Sequence, residues 1–128
     1  MAASKEPSFA SVPKAGQAQI ATANAGRDGT GTVGTVWTAG AEGSKIEQVT
    51  VQATGTTTTG MIRFFLHDGS VFRMFDEVPV TAVTPSATVT AYFAERTYEN
   101  LVIPAGWSLR ASTEKAETFN VIAQGGDF

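Results

Sequence analysis

The feature that most constrains this chain is a strict apolar/polar alternation near its C-terminus. Trp107, Leu109 and Ala111 fall on one side, and Ser108, Arg110 and Ser112 on the other. A period of two turns successive side chains to opposite faces of an extended strand, so one face is buried and the other is polar. Immediately before it, Leu101, Val102 and Ile103 run into a Pro104-Ala105-Gly106 turn. Strands joined through such a turn pair antiparallel.

The same reading extends along the chain. Gln17–Ala23, Thr32–Thr38 and Lys45–Ala53 read as short strands, with Val49, Val51 and Ala53 toward the core and Ile46 on the opposite parity. Gly55 to Gly60, with four threonines between, reads as a polar, flexible loop tip. Gly60–His67 and Ser70–Phe75 flank Asp68-Gly69, a pair that tolerates the positive φ angles of a type I′ hairpin turn. Ile62, Phe64 and Leu66 share one face of that hairpin, and Arg63, Phe65 and His67 the other. With Phe72, Met74 and Phe75 added, it is apolar on more than one side, so both faces are covered or one meets a partner.

Val78-Pro79-Val80 and Thr84-Pro85-Ser86 bracket a connection between sheets. Ala87–Arg96 alternates as a strand, although Ala, Glu and Arg leave a short helix over Ala91–Tyr98 open. Leu101–Ile103, Trp107–Thr113 and Thr118–Gln124 complete eight or nine strands, and Gln124 to Phe128 is expected to leave the sheet. Turn residues every 8–12 positions point to an all-β antiparallel sandwich, jelly-roll-like, in one domain over 18–128. The 128 residues suffice for one core and not two.

Residues 1–17 read as an extended N-terminal arm. Pro7 and Pro13 forbid a helix interior, and Phe9 and Val12 are its apolar anchors. Such an arm is either a frayed terminus or a segment that docks on a neighbouring subunit, adding to a sheet edge.

Composition removes several function classes. Charged residues are only 16% of the chain and the net charge is −3, with no Lys/Arg cluster, so no nucleic-acid partner is expected. There are no cysteines, which excludes disulfides, thiolate catalysis and Cys-ligated zinc. No apolar run approaches a membrane span and the N-terminus has no signal-peptide pattern, so a membrane partner and export by the general route are not expected.

The chemical motifs are weak. Gly29-Thr30-Gly31-Thr32-Val33-Gly34 matches G-x-G-x-x-G, but a β run follows it where a dinucleotide site needs a helix. His67 is the only histidine and sits beside a turn, with no nucleophile elbow elsewhere. Asp76, Glu77, Glu95 and Glu99 are carboxylates that a glycosidase pair would require in one cleft. No catalytic residue, cofactor or metal is assigned. Trp37 and Trp107 could form a sugar-stacking platform, but the alternation that starts at Trp107 favours burial of that Trp in the core.

The arm Met1–Gln17, the compact β region after it, and the ending Leu101–Ala111 with Val121–Phe128 together resemble small all-β virion proteins of tailed bacteriophages, most of all capsid decoration (cement) proteins. The resemblance implies a non-enzymatic structural protein of the capsid surface, assembled in the host cytoplasm. It also implies a homotrimer whose arms clamp the major capsid protein. Phe9, Val12, Pro13 and Lys14 are then the candidate partner-binding residues. The alternative is a carbohydrate- or receptor-binding β-sandwich of a phage tail or an accessory domain.

Overall fold

In the computed structural model, the described residues are 12–128. Eight strands form: β1 (Val12–Ile20), β2 (Gly34–Thr38), β3 (Ser44–Ala53), β4 (Gly60–His67), β5 (Phe72–Val80), β6 (Phe93–Ile103), β7 (Ser108–Thr113) and β8 (Phe119–Asp127). They make two four-stranded antiparallel sheets, ordered β1-β8-β3-β6 and β2-β7-β4-β5. The expected all-β antiparallel sandwich is what the chain folds into. The pairing nests: the first strand meets the last, the second the seventh, the third the sixth and the fourth the fifth.

The core lies between the sheets. Trp37, Ile46, Ile62, Phe64, Ile103, Leu109, Phe119 and Val121 are all essentially inaccessible. Leu109 and Ala111 point inward as the alternation requires, and Trp107 packs partly buried against the same cluster. Ile46 is also in the core, although its parity differs from that of Val49 and Val51. A bulge between Ile46 and Gln48 inserts Glu47 and resets the alternation, so residues on both parities reach one core. A second bulge between Thr35 and Trp37 likewise buries Val36 and Trp37 side by side.

Several boundaries differ from the expected ones. Residues 12–16, assigned to the arm by composition, are the first half of β1, and Pro13 is tolerated there because β1 is an edge strand. Val78-Pro79-Val80 ends edge strand β5, and the crossover between sheets is 81–92. No helix forms at Ala91–Tyr98: β6 starts at Phe93 and runs unbroken through Leu101–Ile103, since Phe93, Val102 and Ile103 gain more from sheet pairing than helix propensity offers. Gly125, Gly126 and Asp127 stay in the sheet, paired on both sides.

The Asp68-Gly69 hairpin has a four-residue loop, not a two-residue type I′ turn, because His67 pairs with Phe72. Only Gly69 has positive φ there. Asp68 serves the loop by accepting from Ser70 N and Val71 N at 2.9 and 2.8 Å, and these bonds, Val71 first, hold its carboxyl below its ordinary pKa. The Gly55–Gly60 loop is anchored as well. Thr57 is 2% exposed, exchanges backbone hydrogen bonds with Val83, and donates its hydroxyl to Thr81 O at 2.8 Å.

The two-sided apolarity of the β4–β5 hairpin is resolved within the chain. Phe65 is fully buried outside the main core cluster, edge-on to Phe72, whose side chain meets the loop that joins β1 to β2. Asn24 organises that loop: its Nδ2 donates to Thr30 O and Thr32 O at 2.8 and 2.9 Å, and its Oδ1 accepts from Gly26 N. Its own amide reaches Thr113 O on β7. Gly29, at φ +88°, then lies against the Phe72 side chain.

Candidate functional site

Of the four arm residues singled out, Phe9 lies outside the described residues. Val12 opens β1 opposite Asp127 and is 55% exposed. Pro13 faces Gly126. Lys14 is engaged within the chain: Nζ donates to Thr38 O at 2.7 Å, pairs with Asp127 Oδ1 at 3.1 Å, and sits 4.8 Å from the Trp37 ring centroid. Asp127 also accepts the Ser44 hydroxyl at 2.6 Å, and Ser44 Oγ accepts from Gly40 N. The Ser44 bond, then Lys14, holds the Asp127 carboxyl below its ordinary pKa. This cluster ties β1, β3, β8 and the end of β2 together.

A second cluster covers the outer side of the β2-β7-β4-β5 sheet. The Arg63 guanidinium, 1% exposed, reaches Glu77 at 3.2 Å, Asn24 O at 3.2 Å and Glu114 at 3.4 Å. Arg27 pairs with the same Glu77 oxygen at 3.0 Å. A buried charge is tolerable only when its donors are matched in this way. A third cluster spans the two sheets: Tyr98 donates to Asp76 at 2.8 Å, Arg96 lies 3.3 Å from the same oxygen, and Arg96 also donates to Glu77 O. Burial is the main reason the Tyr98 hydroxyl is pushed far above its ordinary pKa, reinforced by Asp76.

The carboxylates considered for acid–base work are therefore placed apart. Asp76 and Glu77 are consecutive on β5 and answer to different cations, Arg96 and the Arg27–Arg63 pair. Glu95 and Glu99 are exposed on β6. His67 lies against the Phe72 ring, 4.2 Å between centroids. The glycine motif is a loop in which Gly29 and Gly31 take positive φ, followed by β2 and not by a helix. Among the described residues no three metal-ligating side chains converge. Trp37 is 1% exposed, out of reach of a sugar ring.

What the molecule presents outward is a sheet face. On the outer side of β1-β8-β3-β6, side chains align in cross-strand rows: Gln19, Asn120, Gln52 and Phe93; then Gln17, Ile122, Thr50 and Glu95; then Ala15, Gln124, Gln48 and Thr97. Half of these positions are Gln or Asn, and Glu95 is the single charge. A fourth row holds Pro13, Gly126, Lys45 and Val102. Phe93, Val102 and Ile122 are 53%, 42% and 39% exposed, half of the large apolar residues that stand in solvent among the described residues. The pattern was present in the sequence as Gln/Thr at every second position of Lys45–Ala53, but its extent across four strands depends on register. No protein-family model matches the chain, and no curated protein matches it.

Proposed function

We propose that this chain is a non-enzymatic structural virion protein, a capsid decoration protein that binds the outside of a shell as a homotrimer. The observation that carries this reading is where the ionisable groups go. Lys14, Arg27, Arg63 and Arg96, with Asp76, Glu77, Glu114 and Asp127, are engaged in ties between strands and loops. The three central rows of the outer sheet face carry a single charge, Glu95, and are rich in amides. Such a surface meets other protein surfaces without stranding buried charge, and modest contacts gain strength when symmetry repeats them.

Two further features support it. The nested pairing of eight strands in two antiparallel sheets supports a jelly-roll reading of the sandwich. β1, which opens at Val12, is an edge strand, and an arm anchored by Phe9 would carry the contact to a neighbour's sheet in the decoration-protein reading. The capsid as partner, and the virion as location, rest on the resemblance to tailed-phage decoration proteins.

Co-sedimentation of the full chain with expanded shells of the major capsid protein from the same virus tests the reading. Saturable binding, lost on deleting residues 1–11, is the expected result. Absence of binding to such shells would overturn it.

A further inference from the structure

We infer that the outer side of the β2-β7-β4-β5 sheet carries an oxyanion site, built around Arg110 and fit for a phosphate or carboxylate group. Lys14, Arg27, Arg63 and Arg96 each meet a carboxylate. Arg110, half-buried on β7, has no such partner among the described residues. Leu109 and Ala111 point into the core, so Ser108 and Arg110 stand on the opposite face. The guanidinium is held in place there. Its Nε donates to Ser108 Oγ at 2.8 Å, and its central carbon lies 5.7 Å from the Phe72 ring centroid. Phe72 is fixed in turn by Phe65, edge-on at 6.2 Å, and by Gly29 of the β1–β2 loop. His67 packs on the same ring and lies directly opposite Ser108 in the β4–β7 register. Guanidinium, hydroxyl and imidazole therefore share one patch.

What this patch offers is donors. The Nη groups of Arg110 are neither buried nor hydrogen-bonded among the described residues. Ser108 Oγ accepts from Arg110, which leaves its own proton to donate, and His67 carries at least one ring N–H in either charge state. Thr35, opposite Arg110, and Thr38, opposite Ser108, add exposed hydroxyls on β2. Acids bordering this side are committed elsewhere: Glu77 and Glu114 to Arg63, Asp28 to Thr30, and Asp68 to the amides of Ser70 and Val71. Donors that converge without an acceptor complement an oxyanion, and a guanidinium fork takes phosphate or carboxylate through paired N–H bonds. The chain's net charge of −3 repels anions at long range, so binding here rests on these local donors.

His67 is the only histidine, so its ring protons give isolated proton NMR signals that report on the site directly. The full chain is titrated with inorganic phosphate and with acetate, each against chloride at equal ionic strength, which separates binding from screening. Saturable shifts of the His67 signals in the millimolar range are expected with at least one oxyanion and not with chloride. The tighter of the two tells a phosphate ligand from a carboxylate. Arg110→Gln should weaken binding about tenfold or more, and Ser108→Ala should weaken it less. Lys45→Gln removes the same charge from the other sheet and should leave binding unchanged. Circular dichroism checks that each variant is folded. Shifts that fail to saturate, that chloride reproduces, or that keep wild-type strength in folded Arg110→Gln overturn the inference.

Discussion

Lys14 on the first strand and Asp127 on the last are joined by a 3.1 Å ion pair across 113 positions of sequence. The pair locks the start of the described chain to its end, and Ser44 completes the lock from β3. It gives the fold an acid-sensitive seam. Asp127 has a folded pKa below its ordinary 3.8, so its contribution is fully present above that value and is lost as pH falls through the lower, folded one. Urea unfolding should show wild type losing stability below pH 4, while Asp127→Asn is weaker at neutral pH and flatter toward acid. Parallel pH profiles for the two proteins would remove Asp127 from the seam.

Arg63 is the most deeply placed cation, and its loss is expected to be the most damaging single change to a charge. Arg63→Ala leaves Asn24 O and Glu114 without their donor and opens a void at a fully buried position, at a cost of about 3 kcal/mol in chemical denaturation. Arg63→Lys should recover little, because one ammonium cannot span three acceptors. Proteolysis offers a second readout. The loop from Ala21 to Val33 should become cleavable in Arg63→Ala, since Asn24 and Arg27 are tied to that cluster.

How much of this was legible beforehand varies by residue for physical reasons. The Trp107–Ser112 alternation reported a buried face directly, because side-chain direction in a regular strand depends only on parity. Ile46 with Val49, and Val36 with Trp37, escaped that rule: each pair straddles a bulge, whose position is set by the partner strand and not by local sequence. The arm boundary was misplaced for a similar reason. Pro13 reads as a break locally, yet an edge strand asks for no donor on its free side. The Asn24, Arg63 and Glu77 cluster joins three segments far apart in sequence, so composition held no trace of it. The amide-rich sheet face was half visible as alternate Gln and Thr on β3, and needed register to become a surface.

Two glycines separate conformational strain from crowding. Gly69 has φ +101° and open space around it, so Gly69→Ala meets only the left-handed backbone penalty, about 1 kcal/mol. Gly29 has φ +88° and lies against Phe72, so Gly29→Ala adds a collision and should cost about 3 kcal/mol. Equal losses in thermal or urea unfolding would show that the loop yields freely and does not cap the hairpin.

Tyr98 supplies an alkaline counterpart to Asp127. Burial and the neighbouring Asp76 both disfavour its phenolate, and burial also raises Tyr92, whose hydroxyl donates to Pro79 O. Those are the two tyrosines of the chain. Below pH 10 the folded and unfolded states both keep their phenolic protons, and the stability they contribute is fully present. Above it the unfolded chain ionises first, so stability falls as pH rises toward the folded values. Ultraviolet titration of the native protein should show neither tyrosine ionising near pH 10, with tyrosinate appearing together with unfolding. Tyr98→Phe should cost about 1 kcal/mol at neutral pH by removing the hydrogen bond to Asp76, and should make the alkaline loss shallower. Reversible ionisation of Tyr98 near pH 10 in folded protein would mean that the two sheets part at this edge.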